Sequence, residues 1–314
     1  MSTESESATT ATGGFQPAGL YDGFDRETVE ALSPTAGAER SDLDADEPIV
    51  RIQNLHKAFG KTKVLTGISL DIERGKTTVI LGPSGTGKSV MLKHIVGLIK
   101  PDAGEVTFDG TRVDTLSEDE LVGIRKRIGY LFQLGALFDS MTIGENIAFP
   151  LVEHTRMDAE HREACVKRVL GLVGLEGYQD KMPAELSGGQ QRRVALARAI
   201  VLQPCMVLYD EPTTGLDPVR ADVINELILA LTRTMGITSV VVTHDMASAN
   251  KIADRMLLVH SGEIICDGKP EQFRASDNAV VQRFINGEAD RDDLDNIRRA
   301  FQHNAPAPDQ PQSD

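Results

Sequence analysis

Apolar and polar residues along this chain follow two rhythms, one of period two and one helical, separated by stretches that have neither. Ile49-Val50-Arg51-Ile52 and Ser69-Leu70-Asp71-Ile72 alternate, as half-buried strands do. Thr77-Thr78-Val79-Ile80-Leu81, Met206-Val207-Leu208-Tyr209 and Ser239-Val240-Val241-Val242 are short, nearly continuous apolar runs, the pattern of strands covered on both faces. Residues 256–259 and 263–266 flank Ser261-Gly262, which predicts a hairpin. Residues 89–98 predict a helix, carrying Val90, Met91, Leu92, Ile95, Val96 and Leu98. Residues 160–173 predict another, with Cys165, Val166, Val169, Leu170 and Val173 on one face and Gly174 or Gly177 as its stop. Residues 134–186 read as mainly helical. The expected architecture is an α/β core with a helical subdomain inserted at about 134–188.

The two ends lack such patterning. Residues 1–47 are rich in Ser, Thr, Ala, Gly, Asp and Glu and carry a net charge of −9. They cannot bury enough apolar surface to offset the cost of ordering, so a flexible acidic tail is expected. Within it, Phe24, Val29 and Leu32 could line a short helix opened by Asp25. Residues 289–314 form a second tail, where Leu294, Ile297 and Phe301 are spaced for a short amphipathic helix. This helix is expected to dock on a partner copy or on its own chain.

Charge narrows the function classes. Of the net −14, residues 1–47 hold −9 and residues 288–314 hold −4, leaving the middle close to neutral. A basic face for nucleic acid is not expected. Cys165, Cys205 and Cys266 are odd in number and far apart, which excludes a disulfide framework and fits a reducing compartment. No apolar run approaches the length of a membrane span. The acidic N-terminal stretch is unlike a secretory signal or a transit peptide.

The chemistry lies where strands end. The run 77–81 leads into Gly82-Pro83-Ser84-Gly85-Thr86-Gly87-Lys88-Ser89 and then into the helical pattern. Gly82, Gly85 and Gly87 let the backbone N–H groups turn toward phosphates, with Pro83, Ser84 and Thr86 in the same loop. Lys88 supplies a cation for the β- and γ-phosphates, and the Ser89 hydroxyl is a magnesium ligand candidate. Asp210 ends a strand, where a carboxylate can reach that metal. Glu211, beside it, can polarise an attacking water. Leu186-Ser187-Gly188-Gly189-Gln190 opens a strong helical pattern and forms a second anion site. Read alone, Ser187 would be an ordinary helix cap. Beside a phosphate loop, the second site implies a ligand shared between two copies.

Phosphate loop, LSGGQ and YDEP, in that order over residues 48–288, resemble the ATP-binding subunits of ABC transporters. The resemblance implies a P-loop ABC ATPase core with a mixed sheet, an antiparallel β subdomain and the inserted helical subdomain. It also implies ATP and Mg2+ as ligands. Phe59, in Ala58-Phe59-Gly60, matches the aromatic that stacks on adenine; tyrosine is common there, so Phe59 lacks a hydroxyl. Gln133 matches the glutamine that senses magnesium and attacking water, so Ser89, Gln133 and Asp210 are the implied metal group. His244 matches the switch histidine that orients Glu211, and with Lys88 and Gln133 these residues are the implied catalytic set. Asp217, in Thr214-Gly215-Leu216-Asp217, matches the loop joining the two sites of a dimer, although Gly215 replaces a common alanine. Ser187, Gly188, Gly189 and Gln190 would meet the ATP held by the other copy.

Local segments are similar to the ATPases of Mla/Mce-type phospholipid transporters, notably Gly135-Ala136-Leu137-Phe138 and the 280–287 ending Val280-Val281-Gln282-Arg283-Phe284-Ile285-Asn286-Gly287. That implies a cytoplasmic subunit on the inner face of the membrane, under an integral-membrane permease that works with an Mce-domain protein. The alternative is an importer ATPase for a small polar solute such as an amino acid. A reading from another class is a DNA-repair or chromosome ATPase of the ABC superfamily, and those that build long coiled arms place them between the Gln loop and LSGGQ. Here Gln133 and Ser187 are only 54 positions apart, with no heptad array.

Overall fold

A computed structural model describes residues 47–133 and 135–289, together with Asp295 and Arg299. The possible helices around Asp25 and around Leu294, Ile297 and Phe301 lie outside the described residues. In chain order the elements are β1 (Val50–Phe59), β2 (Thr62–Ile72), β3 (Thr77–Leu81), α1 (Lys88–Ile95), β4 (Ala103–Phe108), β5 (Thr111–Arg112), α2 (Glu118–Lys126) and β6 (Ile128–Leu131). Then follow α3 (Ile143–His154), α4 (Ala159–Leu172), a 3-10 turn (Pro183–Glu185), α5 (Gly188–Ile200), β7 (Met206–Asp210), α6 (Pro218–Met235), β8 (Thr238–Thr243), α7 (Met246–Ile252), β9 (Arg255–His260), β10 (Glu263–Gly268), α8 (Pro270–Arg274) and α9 (Ala279–Asn286).

The strands form two sheets. A six-stranded mixed sheet has the order β10-β9-β3-β8-β7-β6, parallel except for the β9–β10 hairpin. An antiparallel sheet has the order β2-β1-β4-β5. The mixed sheet explains the continuous apolar runs, because it is covered on both sides. Successive side chains of a strand point to opposite faces. Val79 and Leu81 therefore join Val207, Tyr209 and Val241 in a core with residues of α3 to α7. Ile80 joins Leu208, Val240 and Val242 in a core with α1, α2 and the antiparallel sheet.

The predicted helix at 89–98 begins one residue earlier and ends at Ile95, because Gly97 takes a left-handed φ of 66°. The helix predicted at 160–173 is α4; Gly174, not Gly177, follows its cap at Val173, with a φ of 65°. Ser261 and Gly262 both have positive φ, as a two-residue hairpin turn requires. The pattern left β4, β5, α2, β6, α6, α7, α8 and α9 unassigned. Several of these have clear caps in hindsight: Ser117 with Glu120 opens α2 and Asp217-Pro218 opens α6.

One cluster ties the two sheets together. Asp109, in the turn after β4, accepts hydrogen bonds from both Arg74 and Arg127. Arg127 also lies over the Phe108 ring, 5.1 Å from its centre. Among the described residues no helix is long and apolar enough to cross a membrane.

Candidate functional site

The site is built along the carboxyl edge of the mixed sheet. Leu81 pairs with Thr243 and Asp210 pairs with Val242, so three chain segments leave the sheet at the same level. These are the loop 82–88 after β3, Asp210-Glu211 after β7 and His244 after β8.

Gly82 sits so close to β9 that a Cβ would lie 2.4 Å from the Val259 carbonyl oxygen, so no side chain fits. From there Pro83, Ser84, Gly85, Thr86 and Gly87 curl toward α1, and the Thr86 hydroxyl donates to Pro83 O at 2.9 Å. Helix α1 starts behind Gly87 with no side-chain cap, whereas α2, α3, α4, α5 and α6 all have one. Its first N–H groups are thus left for an anion. The Lys88 ammonium is buried and donates to Gly82 O at 2.7 Å and Pro83 O at 2.9 Å. It is 3.9 Å from Glu211 Oε1. Burial lowers the Lys88 pKa, and the charges of Glu211 and Asp210 only partly offset this.

Ser89 donates to Asp210 Oδ1 at 2.6 Å, and the Tyr130 hydroxyl stands 3.5 Å from Asp210 Oδ2. Burial raises the Tyr130 pKa, with the Asp210 charge adding to it. Ser89 and Asp210 are hard oxygen donors, and no cluster of three or more metal-binding side chains occurs among the described residues. That suits Mg2+, which is held by one or two protein oxygens with phosphate and water completing its shell. Gln133, the third implied ligand, is exposed just beyond β6 and is not hydrogen-bonded to Ser89 or Asp210.

Glu211 is the most constrained residue here. It is 8% exposed and takes a left-handed φ of 51°, with its N–H donating to Val242 O at 2.9 Å. A non-glycine residue in this conformation is costly unless its surroundings fix it. They do: Oε2 accepts from the Thr214 hydroxyl at 3.0 Å and meets His244 Nδ1 at 2.9 Å.

A second constellation is separate. Ser187 caps α5, accepting from Gln190 N, while the Gln190 side chain accepts from Ser187 N at 2.9 Å. A Cβ on Gly189 would meet Arg220 Cδ at 3.2 Å, and Arg220 is ion-paired to Asp217 at 3.2 Å. Ser187, Gly188, Gly189, Gln190 and Asp217 thus share one surface, and no hydrogen bond or ion pair joins them to Lys88, Ser89 or Glu211. Phe59 stands apart too, half-exposed at the end of β1.

Three contributors were not singled out from sequence. Thr214 lies within the loop before Asp217, and its spacing from Glu211 marks one tight turn. Tyr130 is the polar member of an otherwise apolar strand. Arg192 is buried and donates to Phe132 O and Thr214 O, each at 3.2 Å, linking the Gln133 segment to the Glu211 turn. Nothing in Arg192-Arg193 distinguishes the buried arginine from its neighbour.

The ABC transporter family model matches residues 65–214. An intermembrane phospholipid transport system ATP-binding protein MlaF from Haemophilus influenzae is 41% identical over 245 residues, 78% of this chain and 93% of that protein. A probable ribonucleotide transport ATP-binding protein mkl from Mycobacterium leprae is 42% identical over 238 residues, 76% of this chain and 69% of that one. Among solved structures, the dimeric post-hydrolysis state of the ATP-binding cassette MJ0796, bound to ADP and Pi, aligns with a TM-score of 0.66 and 37% identity. It covers 70% of this chain and 98% of its own.

Proposed function

The chain belongs to the ABC transporter family of ATP-binding cassettes, and on that premise we propose that it is the ATPase subunit of an intermembrane phospholipid transport system. It binds and hydrolyses ATP, pairs with a second copy and acts through a membrane partner. The phospholipid reading rests on one observation: the 41% identity that runs through 93% of an MlaF protein.

The geometry supports a division of labour. The uncapped start of α1 and the loop Gly82, Pro83, Ser84, Gly85, Thr86 and Gly87 cradle the phosphates. Lys88 swings from its carbonyl contacts to the β- and γ-phosphates, and Phe59 stacks on adenine. Ser89, Asp210 and Gln133 would hold Mg2+, which would supply charge neutralisation at phosphate oxygens. Glu211 accepts hydrogen-bond donation from the attacking water, held in position by His244 and Thr214. Ser187, Gly188, Gly189 and Gln190 serve the ATP of the other copy, and Asp217 relays between the two sites. ADP lacks the γ-phosphate contacts, so hydrolysis removes the bias toward the closed pair.

We take residues 48–288 as the ATP-binding domain, with about 134–188 as its helical subdomain and 1–47 and 289–314 as tails. The partner is an integral-membrane permease that holds this chain at the inner face of the membrane, with an Mce-domain lipid-binding protein beyond it. Purification of the tagged chain from membranes should bring down both, with phospholipid identified by mass spectrometry. A permease that arrives with a polar solute and no Mce-domain protein would establish the alternative, a small-solute importer.

A further inference from the structure

The segment that carries Phe59 is held from a distant part of the sequence. The register of β1 on β2 shifts between Lys57 and Ala58, one residue before the ring. At that irregularity the Ala58 N–H donates to Asp102 Oδ2 at 2.7 Å. Asp102 Oδ1 accepts from Lys57 Nζ at 2.8 Å, and the same ammonium donates to Lys100 O at 2.8 Å. Asp102 N also donates to His56 O at 2.9 Å. The Lys57 side chain is only 15% exposed, and its Nζ lies over the Phe59 ring, 5.6 Å from the centre.

We propose that Asp102 is a positioning residue for the base subsite, fixing the Phe59 ring through Lys57 and the Ala58 amide. The proposal rests on the reading of Phe59 as the adenine platform. Three features carry it. Past the register shift β1 keeps only the pairs Ala58–Lys63 and Phe59–Thr62 with β2, and its pairing with β4 ends at His56. Asp102 adds one charge-assisted bond to the backbone and one to a side chain. Lys57 then lies over one face of the ring, leaving the opposite face for a flat ligand, and its charge favours that packing. Hydrogen bonds from Lys57 and from the Ala58 N–H hold the Asp102 carboxyl below the usual carboxylate range. Asp102 lies between the stop of α1 at Gly97 and the start of β4. The phosphate-loop helix and the base platform are therefore linked through a few residues of chain.

The test compares ATP with inorganic tripolyphosphate, which has the phosphates and no base. Binding of each, with Mg2+, is measured by calorimetry on the full chain and on Asp102→Ala, Asp102→Asn and Phe59→Ala. Asp102→Ala should weaken ATP about fivefold, the scale of a partly exposed charged contact. It should leave tripolyphosphate unchanged, raise KM for ATP and spare kcat. Asp102→Asn keeps an acceptor for Ala58 and should fall between. In a Phe59→Ala background, Asp102→Ala should add nothing. Equal weakening of ATP and tripolyphosphate would make Asp102 a general structural residue and overturn the proposal, as would an unchanged ATP affinity. If Phe59→Ala itself fails to separate the two ligands, the platform reading falls, and the proposal with it.

Discussion

His244 Nδ1 lies 2.9 Å from Glu211 Oε2, across 33 positions of sequence and two adjacent parallel strands. A carboxylate only accepts hydrogen bonds, so Nδ1 carries the hydrogen and Nε2 faces away from Glu211. The contact fixes a side chain whose backbone is already forced into a left-handed turn. Together they point the carboxylate without leaving it free to rotate.

Replacing that carboxylate by its amide should separate binding from chemistry. Glu211→Gln keeps the size and the Thr214 contact but cannot take the proton from water. Phosphate release should fall about 100-fold or more, while ATP still binds and a closed pair accumulates. Colorimetric phosphate assay and size-exclusion chromatography with ATP check both. Normal turnover would remove Glu211 from the water-polarising role.

Lys88 poses a conflict between stability and function. Burial opposes its charge, so its folded pKa is lower than that of a free lysine. Between those two values the unfolded chain binds more protons, so Lys88's contribution to stability rises with pH there. Lys88→Met should therefore cost the empty protein little. Its Tm should stay near that of the parent, whereas ATP should no longer raise it. A parent-like ATP-induced shift would be inconsistent with the phosphate role.

Gly129 tests packing without backbone strain. A Cβ there would lie 2.5 Å from the Ala199 carbonyl oxygen of α5 and 3.1 Å from Val207 Cγ2. Gly129→Ala should push β6 off α5 and destabilise by about 2–3 kcal/mol. Urea denaturation reads this directly, and a change below the measurement error would show that the two elements give way freely.

Asp109 supplies a pH dependence. Its burial alone would raise the carboxyl pKa, but hydrogen bonds from Arg127 and Arg74 outweigh that and hold it below the usual range. Its contribution is therefore present above about pH 4 and fades as pH falls through the lower folded value. Asp109→Asn tolerates the same left-handed φ of 48°. The difference in Tm between parent and variant should be large at neutral pH and shrink on acidification. A gap that is constant with pH would rule out the ionised carboxylate as its source.

Much of the fold was written in the residues. Runs such as Val207-Leu208-Tyr209, short and continuously apolar, read as strands covered on both sides, and the glycine-rich loop predicts the helix that follows it. The order of motifs also points to Lys88, Asp210 and Glu211, which the fold brings to one end of the mixed sheet. What stayed hidden was contact made by ordinary residues. Nothing local marks Asp102 as the partner of Ala58, or Arg192 as the link from Phe132 to Thr214, because each works through backbone atoms that any sequence has. Helix α6 is hidden for a different reason: exposed Val219 and Val223 add apolar positions off its buried face and blur the stripe.

The Ser187 hydroxyl has one further property. Its oxygen accepts from the Gln190 N–H, which starts α5, but its hydrogen remains uncommitted among the described residues. A single atom pair can thus begin a helix and still greet a negatively charged visitor. Aspartate would start the helix equally well and turn that visitor away; alanine would admit it and fray the helix.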